Sequence, residues 1–262
     1  MREPVTTKGD FTFETIPTRL TEFRKTVELE LVVHRPQLAG SLPTLVFNHG
    51  STGWGTNPAV FRRTVKSASV ARFFAKRGWL VVFPQRRGRG KSGGLYDEGF
   101  KPDRNGYSWD PEVALAGLDR ATQDLDEVMN CLLRRSDVDT NRMLIGGVSR
   151  GGALAIAYAG LRPAMFRGAI NFNGGWLGQS GASFAEVNRK AFLRGAPFQG
   201  QTLWLHGSHD PYYRIGHCRE NFDAFRAAGG QGVFHSIRGG HGLIHRPALW
   251  TEAMSSYLAT VD

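Results

Sequence analysis

Short apolar runs and longer segments with helical spacing alternate along this chain. A run of about four to eight apolar residues bounded by turn residues is typical of a strand covered on both faces. Such runs predict strands at residues 44–47, 79–84, 143–145, 168–172 and 202–206. Alternation of apolar and polar positions predicts further strands at residues 11–16, 26–33 and 232–237.

Segments in which apolar residues recur at helical spacing lie between these runs. They predict helices at residues 65–76, 111–135, 153–159, 218–228 and 247–258. A repeated order of strand, helix and strand is typical of a mostly parallel sheet with helices packed on both faces. We therefore expect an α/β fold with about eight strands, of which the first pairs are antiparallel.

One segment, residues 174–200, breaks this alternation. It combines glycines and charged residues with four aromatic residues, which are Trp176, Phe184, Phe192 and Phe198. We interpret it as a short inserted lid. The 262 residues contain no internal repeat and no low-complexity linker, so we expect a single domain over residues 1–262 that carries this lid.

A candidate nucleophile lies between the strand at residues 143–145 and the helix at residues 153–159. The motif is Gly147-Val148-Ser149-Arg150-Gly151, which matches the Gly-x-Ser-x-Gly turn that exposes a nucleophilic serine. A glycine-rich turn with an incidental serine is the alternative interpretation. The strand before the motif and the helix after it favour the nucleophile.

A serine hydroxyl needs a base, and the base needs a carboxylate that fixes its tautomer. Asp210 follows the strand at residues 202–206, and His241 follows the strand at residues 232–237. The order Ser149, Asp210, His241 is the order that this kind of fold uses. His245 is the nearest rival to His241, but it precedes a proline and lacks flanking glycines.

The loop after Phe172 is the alternative source of the acid. The segment after Phe172 reads Asn173-Gly174-Gly175 and offers no carboxylate, which favours Asp210.

The oxyanion of an acyl-transfer intermediate needs two backbone N–H donors. We predict that one comes from Arg150, directly after the nucleophile, and the other from Ser51, with Thr52 as the fallback. We expect His49 to hydrogen-bond within the Ser51 loop rather than to act as a base.

Composition narrows the function classes. The 33 Lys and Arg residues outnumber the 23 Asp and Glu residues, giving a net charge of +10, but the basic residues are spread along the chain without a basic tail. We therefore expect no nucleic-acid partner, only a bias toward anionic partners. Cys131 and Cys218 suggest neither a disulfide framework nor a metal site. No signal-peptide pattern and no membrane-length apolar run occurs, so a cytoplasmic protein is expected unless a leader was removed.

Three motifs could suggest cofactors or metals. The segment from Gly88 to Gly93 matches G-x-G-x-x-G, but a polar loop follows it instead of a helix. A phosphate-binding loop would need glycine where Gln85 stands. The cluster of His206, His209, Asp210 and His217 fits no metal-ligand spacing. We expect neither a cofactor nor a metal ion.

Several motifs of this chain together resemble the α/β-hydrolase superfamily. The motifs are 47–50 (Phe-Asn-His-Gly), 87–94 (Arg-Gly-Arg-Gly-Lys-Ser-Gly-Gly), 147–152, 205–207 with Asp210, and 239–241. Within the superfamily, residues 25–260 resemble the branch of dienelactone-hydrolase-like and prolyl-oligopeptidase-like serine enzymes. The resemblance implies hydrolysis through an acyl-enzyme, with Ser149 as nucleophile, His241 as base and then acid, and Asp210 orienting His241.

The chain departs from both namesakes of that branch. Dienelactone hydrolases use cysteine where Ser149 stands, and the large propeller of prolyl oligopeptidases has no counterpart in this sequence. The resemblance therefore predicts the class of chemistry more firmly than the substrate.

We expect a serine esterase that acts on a small or medium carboxylic ester. The candidate pocket walls are Trp54, Trp176, Leu177 and Phe184. A peptidase or amidase is the first alternative, and it would want a lid carboxylate, of which Glu186 is the only one. A binding protein without turnover and an enzyme that transfers the acyl group to an acceptor other than water are further alternatives.

Overall fold

A nine-stranded sheet lies at the centre of the computed structural model, which describes residues 5–6, 11–51 and 57–261. The strands are β1 Val5–Thr6, β2 Thr12–Glu22, β3 Lys25–His34, β4 Leu42–Asn48, β5 Leu80–Pro84, β6 Val138–Val148, β7 Gly168–Phe172, β8 Gln201–Gly207 and β9 Gln231–Ile237. Their spatial order is β1-β2-β3-β5-β4-β6-β7-β8-β9. The predicted strands correspond to β2–β9, and the two-residue β1 is an addition at the edge.

Strand direction also agrees with the sequence pattern. The pairs β1/β2, β2/β3 and β3/β5 are antiparallel, and every later neighbouring pair is parallel. The carboxyl ends of β4 to β9 therefore lie along one edge of the sheet. Loops at that edge share one crevice, where ligands bind in open α/β sheets.

Helices pack on both faces of the sheet. They are α1 Pro58–Phe61, α2 Ala68–Ala75, α3 Pro111–Leu132, α4 Arg150–Leu161, α5 Phe184–Leu193, α6 Ile215–Ala227 and α7 Thr251–Val261. One hydrophobic core lies under α3 and α4 and includes Leu125 and Ile156. The other lies under α2 and α7 and includes Phe74 and Leu258.

Capping residues explain where several helices begin. The Asp110 carboxylate accepts hydrogen bonds from Glu112 N at 2.8 Å and Val113 N at 3.1 Å, which starts α3. The Ser67 hydroxyl accepts from Val70 N at 3.4 Å, so α2 starts later than residue 65. The last helix also starts later than predicted, because residues 247–249 form a short 3-10 turn.

The segment expected to be a lid, residues 174–200, packs into the main core. Trp176, Val187, Phe192 and Phe198 are all buried in the cluster that contains α3 and α4. Three of the four aromatic residues that suggested a lid are therefore core residues, and the fourth, Phe184, is partly buried against the same cluster. No helix in the described part of the chain is long and apolar enough to cross a membrane.

Candidate active site

Ser149 lies in a strained turn between β6 and α4. Its backbone has φ +56° and ψ −126°, a conformation that costs free energy in a residue with a side chain. Ser149 N donates to Phe172 O at 2.9 Å, and Ser149 O accepts from Gly152 N at 2.9 Å, and these bonds hold the turn. The hydroxyl is thus presented at the carboxyl edge of the sheet, as the motif predicts.

The glycines of the motif allow the chain segments to approach closely. A Cβ added to Gly147 would lie 2.2 Å from Gly151 O, and one added to Gly151 would lie 2.3 Å from Asn48 O. Both distances are too short for a carbon atom. The turn and the end of β4 can therefore meet only where glycine stands.

Asp210 and His241 meet beyond the ends of β8 and β9. His241 Nδ1 lies 2.7 Å from Asp210 Oδ2, and the Asp210 side chain is buried while that of His241 is 25% exposed. Burial raises the pKa of Asp210, but hydrogen bonds from His241, Asn173 and Tyr212 N and the charge of His241 outweigh it and lower the pKa below its ordinary value. An ionised Asp210 fixes the tautomer in which Nδ1 carries the proton, which leaves Nε2 as the acceptor.

His245, the rival histidine, lies at the end of the 3-10 turn His241–His245 and is exposed. Among the described residues, no hydrogen bond joins it to Asp210. The structure therefore pairs Asp210 with His241.

Tyr213 contacts both His241 and the loop after β7. Its ring centroid lies 5.8 Å from that of His241, and its hydroxyl donates to Gly175 O at 2.7 Å. Burial raises the pKa of Tyr213, and the charge of Arg150 and a hydrogen bond with Ser149 partly offset that effect. No hydrogen bond joins Ser149 Oγ to His241 Nε2 within the described residues, and in unliganded enzymes this bond is often long until substrate binds.

The loop that leads to the predicted oxyanion donor Ser51 passes beside Ser149, and the other predicted donor, Arg150, follows it directly. A Cβ added to Gly50 would lie 3.0 Å from Ser149 Cβ and 3.6 Å from its Oγ, so the loop that continues to Ser51 passes against the nucleophile. Arg150 is the first residue of α4, where backbone N–H groups have no partner inside the helix. Thr52, the fallback donor, lies outside the described residues.

His49 fixes that loop. Arg86 N donates to His49 Nε2 at 3.3 Å, so the ring donates from Nδ1 to Gly50 O at 2.7 Å. Burial, followed by the charges of Arg86 and Arg89, holds the pKa of His49 well below its ordinary value. A neutral ring with both nitrogens engaged is a structural element of the loop and not a base.

A buried ion-pair network supports both oxyanion segments. Glu98 binds Arg86 Nε, accepts from the Tyr96 hydroxyl at 2.9 Å, and lies 3.5 Å from Arg150 Nε. Arg86 Nη2 in turn donates to His49 O at 3.1 Å. One carboxylate thus connects the Ser51 loop to the residue after the nucleophile.

Two aromatic rings and a backbone carbonyl fix the position of the Arg150 guanidinium. Its Cζ lies 3.9 Å from the Tyr107 ring centroid and 3.8 Å from that of Trp176, and its Nη1 donates to Trp176 O at 2.6 Å. Sequence reasoning missed Glu98 because it lies in a long loop without periodicity. The arginines at residues 86–89, which lie close to the motif loops, are the only feature of the sequence that points to a buried carboxylate here.

Asn173 is a second residue that sequence reasoning missed. Its Nδ2 donates to Asp210 Oδ2 at 2.6 Å and to Gly240 O at 3.2 Å. Its φ of +47° lies in the left-handed region, which asparagine tolerates better than most residues. The sequence suggests the loop after β7 only as a possible source of a carboxylate. In the structure it instead supplies the Asn173 amide, which donates a hydrogen bond to the Asp210 carboxylate.

The expected pocket walls need correction. Trp176 is fully buried, and its indole Nε1 donates to Ala114 O at 2.6 Å. Leu177 is also buried, and Phe184 packs against His217 with ring centroids 4.7 Å apart. These side chains face the core because α5 lies against α3 and α4, and Trp54 lies outside the described residues.

An exposed aromatic residue lies next to the histidine instead. Tyr212 is 57% exposed, and its ring centroid lies 4.7 Å from that of His241. Its backbone N donates to Asp210 Oδ1 at 2.8 Å, which fixes its position relative to the pair.

The cofactor-like loop does not present its backbone to a ligand. Gly90 N donates to Phe61 O, Lys91 N to Glu30 Oε2, and Gly93 N to Glu28 O, each at 2.8 Å. These N–H groups are thus engaged within the protein, so the loop is no phosphate cradle of the dinucleotide-binding kind.

The histidine cluster near Asp210 is likewise engaged in packing. His206 stacks on Phe234 with ring centroids 5.1 Å apart, and burial lowers its pKa to about 3. His217 Nε2 lies 2.8 Å from Asn221 Nδ2. Within the described residues, no three His, Cys, Asp or Glu side chains are arranged to hold a metal ion.

Comparison with known proteins agrees with this geometry. The sequence model of the prolyl oligopeptidase family matches residues 65–178, which include the Ser149 motif. Among curated protein sequences there is no significant match.

The fold is similar to solved structures of peptidases and esterases. An acylaminoacyl peptidase from Pyrococcus horikoshii is 18% identical with a TM-score of 0.65, covering 97% of this chain and 42% of that one. Est1E from Butyrivibrio proteoclasticus, solved with ferulic acid, is 16% identical with a TM-score of 0.65, covering 90% and 96%. An esterase from Pyrococcus furiosus is 16% identical with a TM-score of 0.67, covering 95% and 91%.

The peptidases and the esterases differ in how much of their own length this chain covers. The chain spans only 36% to 42% of the similar peptidase chains, whereas it spans nearly all of the two esterases. The sheet topology and the similar structures agree: the chain has the α/β-hydrolase fold, and its segment at residues 65–178 is similar to the prolyl oligopeptidase family.

Proposed function

We propose that this protein is a serine hydrolase that cleaves small or medium carboxylic esters through an acyl-enzyme. The observation that carries the proposal is the 2.7 Å contact between His241 Nδ1 and buried Asp210, beside a serine held in a strained turn. A serine without a base is a weak nucleophile, and a histidine without an orienting carboxylate is a poor base.

The proposed reaction has two halves. Ser149 Oγ attacks the ester carbonyl carbon while His241 Nε2 takes the hydroxyl proton, and the tetrahedral intermediate then expels the alcohol, which receives that proton. Water attacks the acyl-enzyme with His241 again as base, and the acid leaves as Ser149 regains its proton. The N–H groups of Ser51 and Arg150 stabilise the oxyanion in both halves.

A peptidase or amidase of the prolyl-oligopeptidase-like type is the second candidate, favoured by the family match and by the similarity to acylaminoacyl peptidases. A peptidase that recognises a free amino terminus needs a carboxylate near the acyl site. Residues 173–183 contain none, and Glu186 is half exposed and paired with Lys190 at 2.6 Å. We therefore rank the ester first.

The other sequence-based expectations remain predictions. They are the single domain over residues 1–262 with a short lid insertion at residues 174–200, the cytoplasmic location and the small-molecule ester as partner.

Matched substrates test the ranking. Aryl esters of graded acyl length should be turned over faster than aminoacyl anilides, and esters of short or medium acyl chains should give the highest kcat/KM. Faster anilide turnover would favour the peptidase.

Two histidine variants test the assignment of the base. His241→Ala should lower kcat about 10³-fold or more, because a triad member is lost. His245→Ala is the matched control and should retain turnover. The opposite pattern would assign the base to His245.

A further inference from the structure

The loops after the parallel strands carry most of the net positive charge of the chain. Five of these loops, at residues 49–67, 85–110, 173–183, 208–214 and 238–250, contain twelve Lys and Arg residues and five Asp and Glu residues. Their excess of seven positive charges compares with a net charge of +10 for all 262 residues. The face that holds the candidate active site is thus strongly positive, and such a face attracts anions.

A cavity of about 440 Å³ opens on this face. Three of its lining side chains, those of Arg62, Lys91 and Arg104, are cationic, and Tyr96 and Phe61 form apolar wall. Of these three cationic groups, Arg104 is the one that has a carboxylate within ion-pair distance among the described residues, since its Nη1 lies 3.7 Å from Asp97 Oδ2. The volume is large enough for a ligand group of several atoms.

Arg89 adjoins this cavity: it stands between the lining residues Gly88 and Gly90, its Cζ lies 5.7 Å from the ring centroid of the lining residue Tyr96, and it is only 4% exposed. Its Nη1 makes a long hydrogen bond of 3.4 Å to Val60 O, and its buried Nε has no partner. No carboxylate in the described part of the chain comes within ion-pair distance of it. A buried guanidinium without an anion is costly, so a ligand that supplies one would be bound tightly.

The nearby carboxylates do not pair with Arg89, although the buried Oε1 of Glu30 has no hydrogen-bond partner among the described residues. Glu98 is shared by Arg86 and Arg150, and Asp124 accepts from Arg87 N at 2.9 Å and pairs with that guanidinium. Glu30 Oε2 accepts from the Thr64 hydroxyl and from Lys91 N. Residues 49–67 contain no Asp or Glu, so that loop cannot supply the missing charge either.

A chain of side-chain contacts joins the cavity to the residue after the nucleophile. Tyr96 lines the cavity and donates to Glu98, and Glu98 binds Arg150, the residue after Ser149. The charge of Arg89 also acts on His49 in the oxyanion loop. An extended substrate with its carbonyl at Ser149 could therefore bring a charged end to the arginines.

We propose that this cavity holds an anionic group, a carboxylate or a phosphate, of the substrate. The proposal rests on the proposed hydrolase activity and names the substrate class, an ester with a negatively charged end. Recognition depends on side-chain charge, because the backbone N–H groups of Gly90, Lys91 and Gly93 are engaged within the protein.

Two pairs of esters that differ only in charge test it on the full chain. Mono-4-nitrophenyl adipate is compared with 4-nitrophenyl hexanoate, and 4-acetoxyphenyl phosphate with 4-methoxyphenyl acetate, so the anion is a carboxylate on the acyl side in the first pair and a phosphate on the alcohol side in the second. We expect kcat/KM of at least one charged ester to exceed that of its neutral partner about tenfold at low salt, and the ratio to fall as salt is added.

Variants assign that preference to the cavity. In Arg89→Gln the ratio of charged to neutral kcat/KM should fall to near one. If this buried substitution prevents folding, the double variant Arg62→Gln/Lys91→Gln, at two exposed positions, should lower the same ratio several-fold. Arg134→Gln, exposed beyond the end of α3 at the opposite edge of the sheet, is the charge-matched control and should keep the wild-type ratio.

Two results would overturn the proposal: equal kcat/KM for charged and neutral esters, or a preference that the cavity variants leave unchanged. Hydrolysis of the neutral esters that still requires Ser149 would meanwhile keep the proposed hydrolase intact, so the two failures are distinguishable.

Discussion

Asp210 is the residue on which the candidate site depends most, because it accepts hydrogen bonds from three directions. His241, Asn173 and the backbone of Tyr212 all donate to it. Each bond favours the ionised carboxylate, which explains why its pKa is lowered despite burial. The fixed charge then sets the tautomer of His241.

Removing the Asn173 amide should weaken the site in a measurable way. Asn173→Gly keeps the left-handed backbone but deletes the donor to Asp210 Oδ2. A hydrogen bond to a charged group contributes about 1.5 kcal/mol, so kcat/KM should fall about tenfold.

The same variant changes the pH profile. The lost bond stabilised the charged form of Asp210, so its pKa rises, and activity should be lost at a higher pH on acidification than in wild type. Asn105→Gly, in an exposed loop, is the control and should keep the wild-type profile of kcat/KM against pH. An unchanged acid limb in the Asn173 variant would contradict a positioning role.

At the scale of elements, Glu98 holds together segments that are far apart in sequence. Through Arg86 it reaches the loop after β4, and through Arg150 it reaches the start of α4. Burial raises the pKa of Glu98, but the charges of Arg86 and Arg150 and the hydrogen bonds from Arg86 and Tyr96 outweigh it. The pKa of Glu98 is therefore lower in the folded protein than in the unfolded chain.

This lowered pKa makes a prediction about stability. Glu98 contributes to stability above its unfolded pKa of about 4.3, and that contribution is lost as pH falls through the lower pKa of the folded state. Glu98→Gln leaves two buried arginines without their carboxylate, so the free energy of unfolding should fall by about 3–5 kcal/mol at neutral pH.

Denaturant unfolding at a series of pH values measures the effect. The difference between wild type and variant should shrink as pH falls below the ordinary range of glutamate. Glu186→Gln, which removes an exposed pair with Lys190, should change stability by about 0.5 kcal/mol or less. If the difference in the free energy of unfolding between wild type and Glu98→Gln stayed constant with pH, it would contradict the ion-pair account.

At the scale of the whole molecule, the fold could be predicted because its signals are local. Apolar runs such as residues 79–84 and 168–172 lie on buried strands, and the order of strands and helices implies a parallel sheet whose loops meet at one edge. That topology brings Asp210 and His241 together although they are 31 residues apart.

Other features could not be predicted because they depend on contacts without a periodic signal. Glu98 and Asn173 act through side chains that meet only after the loops are folded. Trp176 suggested a pocket wall by its residue type, but its burial depends on how α5 packs and on Arg150 stacking against its ring. Irregular segments rich in aromatic residues are therefore ambiguous in sequence.

Active-site labelling tests the central claim most directly. The chain is treated with a fluorophosphonate, and the modified residue is identified by mass spectrometry of the digested protein. The account predicts one adduct at Ser149, no adduct in Ser149→Ala, and an unchanged adduct in Ser255→Ala, a control on the remote helix α7. Labelling that survives in Ser149→Ala, or a folded wild-type protein that does not react, would contradict Ser149 as the activated nucleophile.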